Sequence, residues 1–308
     1  MSQWVPKPPP KEVTEVLKDI LNGNEASLKH FFEKYPDLHW TEVSYLKTGD
    51  TVLHCAARLG LVNTIQYLLS SFAPKSVDCK NRDDKTSLHE AAQYSQYKAC
   101  ELLLEHGADV NALKRADWTP LMLACTKLVE DRSLKSVQVL LSKGAVVNCR
   151  NKDGWTVLHL VSREGDAMIL KVLLEYGLDV KQKTKNGRIA LHVAALHGHL
   201  DIIKVLLCLG LDINVRDRCG NTPLHEAASG GHVEVCKALI SRGHLDIIEY
   251  FLNDFEWDIN QATVDGYTVL HCAAKSARKE AFDLLVRKGA DVSAKDKCER
   301  SPDSYVAY

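Results

Sequence analysis

Seven near-copies of one heptapeptide run through the chain: TVLHCAA from Thr51, TSLHEAA from Thr86, TPLMLAC from Thr119, TVLHLVS from Thr156, IALHVAA from Ile189, TPLHEAA from Thr222 and TVLHCAA from Thr268. A motif returning at a near-constant interval dictates a stack of like units, because one short unit cannot bury its own apolar face. Between copies lies a second apolar segment that ends near glycine, as in CELLLEHGADVNA, KVLLEYGLDV, KVLLCLGLDIN and DLLVRKGADVSA. Each unit therefore reads as two helices. A Thr-Pro start suits a helix N-terminus, since the hydroxyl caps free amides and proline fits the first turn. Paired small residues such as Ala91-Ala92 and Ala194-Ala195 let neighbouring helices approach, and Gly107, Gly144, Gly177, Gly210 and Gly289 suit the left-handed helix end.

The signature histidine position serves as a ruler. His54, His89, Met122, His159, His192, His225 and His271 are separated by 35, 33, 37, 33, 33 and 46 residues. The 37 reflects an insertion in TKLVEDRSLKSV, where Lys127 to Arg132 is expected to form a longer loop. The 46 falls 20 short of two periods (66 − 46 = 20), which predicts an incomplete repeat around 233–262 and local weakness near Ser241 to Gly243. Either two second-helix segments, Val233 to Ile240 and His244 to Leu252, fuse, or the stack is broken there. The end, from residue 297 to 308, reads as a truncated repeat that frays unless it folds back. At the start, Pro6 to Pro10 implies a flexible lead-in over 1–10. Two helices then read as a capping pair over 11–47, ahead of a repeat array from 48 to 308.

Chemistry is harder to find. There is no GxSxG, Walker loop or HExxH, and the glycines punctuate repeats and do not cradle phosphate, so no enzyme and no cofactor is expected. The histidines recur at one place in each unit, which points to stacking. A metal centre needs convergent ligands, and none of the ten cysteines forms a CxxC, so no metal is expected. Those cysteines sit singly among apolar residues and suit a reducing compartment. With no signal-like start and no apolar run of about 18 residues, the cytoplasm is the expected location, with the nucleus as an alternative.

The pattern GxTPLHxAA followed by LLxxGAdvN resembles the ankyrin-repeat family over nearly everything after Thr48. The resemblance implies an all-α solenoid of stacked helix-turn-helix units with short β-hairpin finger loops, working as a binding protein. It also implies that fingers and first helices face partners. The residues at those places are Arg82, Lys85 and Tyr94, then Arg115, Trp118 and Lys127, then Lys152, Trp155 and Arg163, then Lys185, Arg188 and His197. They make a basic stripe with aromatics, the composition of interface anchors, and Trp118 and Trp155 occupy equivalent places in consecutive repeats. An acidic protein surface would complement the stripe. Asp83, Asp117, Asp153 and Glu164 are interleaved and argue against nucleic acid, although the formal net charge of −1 leaves local charge to decide.

Within the family, the stretches DTVLHCAARLG, LKRADWTPLMLACTK, NKDGWTVLHLVSREGD and ALHGHLDIIKVLL are similar to a member that is a cofactor of alanyl-tRNA synthetase. That resemblance implies binding to the enzyme's catalytic domain and capture of misactivated serine on lysines, in support of translational fidelity. By local motif the acceptor candidates are Lys114, Lys152 and Lys181. A generic scaffold or inhibitor using the same concave face is the alternative.

Overall fold

The computed structural model describes residues 8–72, 77–126, 130–241 and 258–305. These divide into two compact units, Met1–Lys152 and Asp153–Tyr308. The described residues are helical, with fingers closed by single backbone bonds and only two isolated bridges, Ser44 with Thr51 and Lys114 with Trp118.

The first unit opens on the helices Pro10–Leu21 and Glu25–Lys34, which bury Val16, Leu17 and Ile20 with Leu28, Phe31 and Phe32. Lys34 Nζ and Tyr35 OH both donate to Glu12 Oε2, at 2.8 and 2.9 Å. Pro10, expected to lie in the non-helical lead-in, is the first helical residue. A proline there loses only an amide that the helix would leave unpaired. Residues 1–7 of that lead-in lie outside the described residues.

Three repeats follow in this unit. Their first helices are Val52–Leu59, Ser87–Gln93 and Pro120–Ala124, and their second helices Val62–Ser71, Tyr97–Glu105 and Glu130–Ser142. The loop expected from Lys127 to Arg132 is cut short, because the helix already begins at Glu130. Lys127 itself lies outside the described residues.

In the second unit the first helices are Val157–Glu164, Ala190–His197, Pro223–Gly230 and Val269–Lys275. The second helices are Ala167–Glu175, Leu200–Cys208, Val233–Ser241 and Lys279–Arg287.

The signature residues explain why successive repeats dock in one register. In the first copy, His54 Nδ1 accepts the Thr51 amide at 3.2 Å, which leaves the other ring nitrogen to donate to the carbonyl of Lys85 in the next finger at 2.9 Å. The same bond runs from His89 to Trp118, His159 to Arg188, His192 to Asn221 and His271 to Arg300, each acceptor just ahead of the next signature, whereas His225 reaches Gln261 earlier in its loop. Burial pushes the imidazoles of His89 and His225 down to about 4, so each ring is neutral as the bond requires. All six histidines thus tie one repeat to the next within their own unit.

The 46-residue interval takes a different form from the expected deficit. Pro223–Gly230 packs directly against Val269–Lys275, and Val233–Ser241 against Lys279–Arg287. The amide of Val264 donates to Cys219 O at 2.8 Å, and a Cβ on Gly220 would meet that amide nitrogen at 2.8 Å, so the two fingers touch where only glycine fits. The repeats on either side are direct neighbours, and the interval is one 33-residue period plus 13 residues (46 − 33 = 13). The expected second-helix segment His244 to Leu252 lies outside the described residues, as does the expected weak point except for the backbone of Ser241.

At the far end, Pro302–Tyr305 forms a single 3-10 turn packed on Val269–Lys275. Asp296 accepts from the amides of Cys298 and Arg300 at 2.7 and 3.0 Å and from Tyr305 OH. The last segment, expected to fray unless it folds back, does fold back through Tyr305, and residues 306–308 lie outside the described residues.

Candidate functional site

In the first unit a charged cluster forms where three consecutive repeats present their fingers and first helices. Glu90, four residues after the signature Thr86, is almost fully buried. Its two oxygens are shared between two cations: Arg58 Nε donates to Oε2 and Lys85 Nζ to Oε1, both at 2.9 Å. Arg58 also reaches Asp50 Oδ2 at 2.7 Å, while Asn81 donates to the other Asp50 oxygen at 2.6 Å. Burial raises the cost of ionising Glu90 and Asp50, yet the hydrogen bonds from Arg58, Lys85 and Asn81 outweigh it and hold both carboxyls below their usual range. Lys85 donates a second bond to Gln93 Oε1 at 2.7 Å, and the Arg58 guanidinium lies 5.9 Å from the Tyr94 ring centre.

The next finger carries Trp118. Its carbonyl takes the His89 bond, its ring is half-buried, and Lys114 Nζ lies 5.5 Å from the ring centre. Burial first, and the charge of Lys85 second, lower the pKa of Lys114. Ala116 and Asp117 both take positive φ, 63° and 60°, a conformation that costs a non-glycine residue about 1–2 kcal/mol. Arg115 is exposed, between Asp83 at 3.7 Å and Asp84 at 3.8 Å. Arg82 and Lys152 are exposed on their own fingers.

The second unit repeats the plan with other residues. Trp155 is half-buried, with the His159 ring 5.8 Å away and the Arg163 guanidinium 5.9 Å away. Arg163 also pairs with Glu164 at 2.7 Å. Glu226 stands at the place of Glu90 but meets a single cation, Arg188, which is shared with Asp217 at 3.4 Å. Burial and the nearby charge of Asp217 raise the pKa of Glu226 against the pull of Arg188. Lys181 and Lys185 are exposed. His197 is exposed and stacks on His199 with ring centres 6.3 Å apart, while His199 donates to Arg163 O at 2.8 Å.

The expected partner residues thus separate into two kinds. Lys85 and Arg188 each hold a buried carboxylate, and Arg115 and Arg163 are paired at the surface, whereas Trp118, Trp155 and Tyr94 present ring surface beside a cation. The sequence reading passed over Arg58, Asp50, Glu90, Asp217 and Glu226. A signal was present: only the copies TSLHEAA and TPLHEAA place glutamate after the histidine, where the others carry Cys, Leu or Val. Among the described residues there is no group of three or more side chains suited to a metal, and no helix is long and apolar enough to cross a membrane.

Comparison with known proteins places these surfaces on a familiar scaffold. The family model for ankyrin repeats matches three times, over residues 15–114, 121–217 and 212–296. A transient receptor potential cation channel subfamily A member 1 homolog of Caenorhabditis elegans is 34% identical over 110 residues, which are 36% of this chain and 8% of that protein. Protein phosphatase 1 regulatory subunit 12A of Mus musculus is 30% identical over 86 residues, 28% of this chain and 8% of that protein. The matched stretches therefore span a small part of these relatives. Among solved structures, the human ASB11 ankyrin repeat domain superposes with a TM-score of 0.63 at 27% identity, covering 76% of this chain and 96% of that one.

Proposed function

The chain belongs to the ankyrin-repeat family, and we propose that it is a non-enzymatic binding protein that grips a protein partner through its fingers and first helices. The observation that carries this reading is the pairing of ring and cation in space: Lys114 at Trp118 and Arg58 at Tyr94 in the first unit, Arg163 at Trp155 in the second. Partly exposed indoles braced by cations are the side chains that dominate protein interfaces, because they bury much area at little cost in rotamer freedom. The likeness to a stretch of a phosphatase regulatory subunit agrees with a binding role.

The partner we propose is alanyl-tRNA synthetase, on the strength of the sequence resemblance carried by LKRADWTPLMLACTK and NKDGWTVLHLVSREGD. In that role Lys114, Lys152 and Lys181 are the candidate acceptors of misactivated serine. The amine attacks the carbonyl of seryl adenylate, forming an amide and expelling AMP, only when unprotonated, so the lowered pKa of half-buried Lys114 favours it over an ordinary surface lysine. Pull-down of the synthetase by the full chain, set against the double variant Trp118→Ala/Trp155→Ala, tests the interface. Loss of capture is expected, and undiminished capture removes the indoles from it. Mass spectrometry after incubation with synthetase, serine and ATP tests the chemistry: seryl adducts are expected on Lys114, and their absence from all three lysines reduces the function to binding.

A further inference from the structure

The cluster around Glu90 has more donors than its own acids consume. Arg58 has five N–H groups and gives two to Glu90 and Asp50, while Lys85 has three and gives two to Glu90 and Gln93. Three donors on Arg58 and one on Lys85 are left without a protein acceptor among the described residues. Both side chains reach the surface, at 26% and 18% exposure, whereas the carboxylates behind them are at 6% and 1%. The acids are therefore sealed in and the cations face out. Arg58 and Lys85 match Asp50 and Glu90 in number of charges, so the outward character comes from arrangement: the cations lie in front and the carboxylates behind them. Beyond them, Lys114 is repelled by Lys85 and attracted by Asp83 and Glu90.

We propose that Arg58 and Lys85 form a docking point for a carboxylate side chain on an acidic segment of a partner protein, with Tyr94 at the Arg58 end and Trp118 beyond Lys114. A carboxylate accepts from a guanidinium and an ammonium together, in the way Glu90 already does from the inner side. The aromatic flanks would exclude water from the contact and so strengthen it. The proposal rests on reading the chain as a protein-binding module, and it does not depend on which protein is bound. The second unit lacks this outward excess, since Arg188 is shared between two carboxylates.

Fluorescence anisotropy with fluorescein-labelled hexaglutamate as the probe, and hexaglutamine as its uncharged counterpart, tests the site on the full chain. The informative variant is Lys85→Gln/Glu90→Gln. It removes an outward cation together with the carboxylate behind it, so net charge is unchanged and no buried acid loses its partner. Lys98→Gln is the contrasting variant, because it removes one exposed charge from the second helix Tyr97–Glu105 and leaves the cluster intact. Saturable binding of hexaglutamate alone is expected, weakened roughly tenfold in the double variant and little in Lys98→Gln, as loss of a charged hydrogen bond implies. Absence of saturable binding overturns the proposal, as does a loss in Lys98→Gln equal to or larger than that in the charge-balanced variant, which marks a diffuse field. Synthetase pull-down separates the two readings. Retained hexaglutamate docking without synthetase capture leaves the docking point standing, and capture without docking leaves only the binding function.

Discussion

Glu90 and Glu226 occupy the same place in their repeats, are both buried, and both follow Leu and His, yet their surroundings have opposite balance. Glu90 has a cation for each oxygen. Glu226 has one cation, which it divides with Asp217. The lesson is that a repeat position fixes where a side chain sits, whereas the neighbouring repeat decides what that placement costs. Arg58 comes from the repeat before Glu90, but the equivalent of Arg58 beside Glu226 is Leu196, which brings no charge.

The sharpest way to break this contrast is to take away a cation on each side. Arg188→Ala strips both carboxylates of their shared partner and is expected to destabilise the second unit by about 3 kcal/mol, at the low end for a broken buried pair because Arg188 is partly exposed. Lys85→Ala leaves Glu90 its bond from Arg58 and should cost about 1 kcal/mol. Urea denaturation followed by tryptophan fluorescence measures both. Equal losses would mean that the two sites are balanced alike.

Removing the acid charge instead should give effects of opposite sign. Glu90→Gln weakens the acceptor for two cations and is expected to cost about 1–2 kcal/mol. Glu226→Gln relieves an under-compensated buried charge and should be neutral or stabilising by about 1 kcal/mol. Thermal melts at neutral pH distinguish them, and a comparable loss in both variants would show that Arg188 alone balances Glu226.

These contrasts also mark how far the sequence could be read. The repeats were legible because thirty-odd residues of self-similarity leave few alternatives, and the six histidines were correctly assigned to stacking because one bond explains every copy. The 46-residue interval stayed open in the sequence for a simple reason: a residue count off the period reads equally as a deficit from two units or a surplus on one. The structure adds that Pro223–Gly230 packs directly on Val269–Lys275 and Val233–Ser241 on Lys279–Arg287. The charged sites were half legible. Lys85 and Arg188 were visible as cations beside the signature, but Arg58 lies 32 residues from Glu90 and Arg188 38 from Glu226, so their engagement appears only once repeats are stacked. The indoles were legible as a type and a place. Their cationic partners Lys114 and Arg163 were named for other reasons.

The smallest expected effect is on pH dependence, and there the two sites should slope in opposite directions. The folded pKa of Glu90 lies below that of a free glutamate near ~4.3. Its contribution is therefore fully present above that value and is lost as pH falls through the lower, folded one. Glu226 is shifted upward, so the folded protein holds its proton more tightly than the unfolded chain. No penalty exists below ~4.3, and stability is lost as pH rises through the raised value. Comparing each Gln variant with the parent cancels the titration of groups they share, including the histidines. The melting gap between parent and Glu90→Gln should close on acidification, while the gap in favour of Glu226→Gln should open on going from acid to neutral pH. Two gaps that close together in acid would place Glu226 among the stabilising carboxylates and restore the equivalence that the repeat position alone suggests.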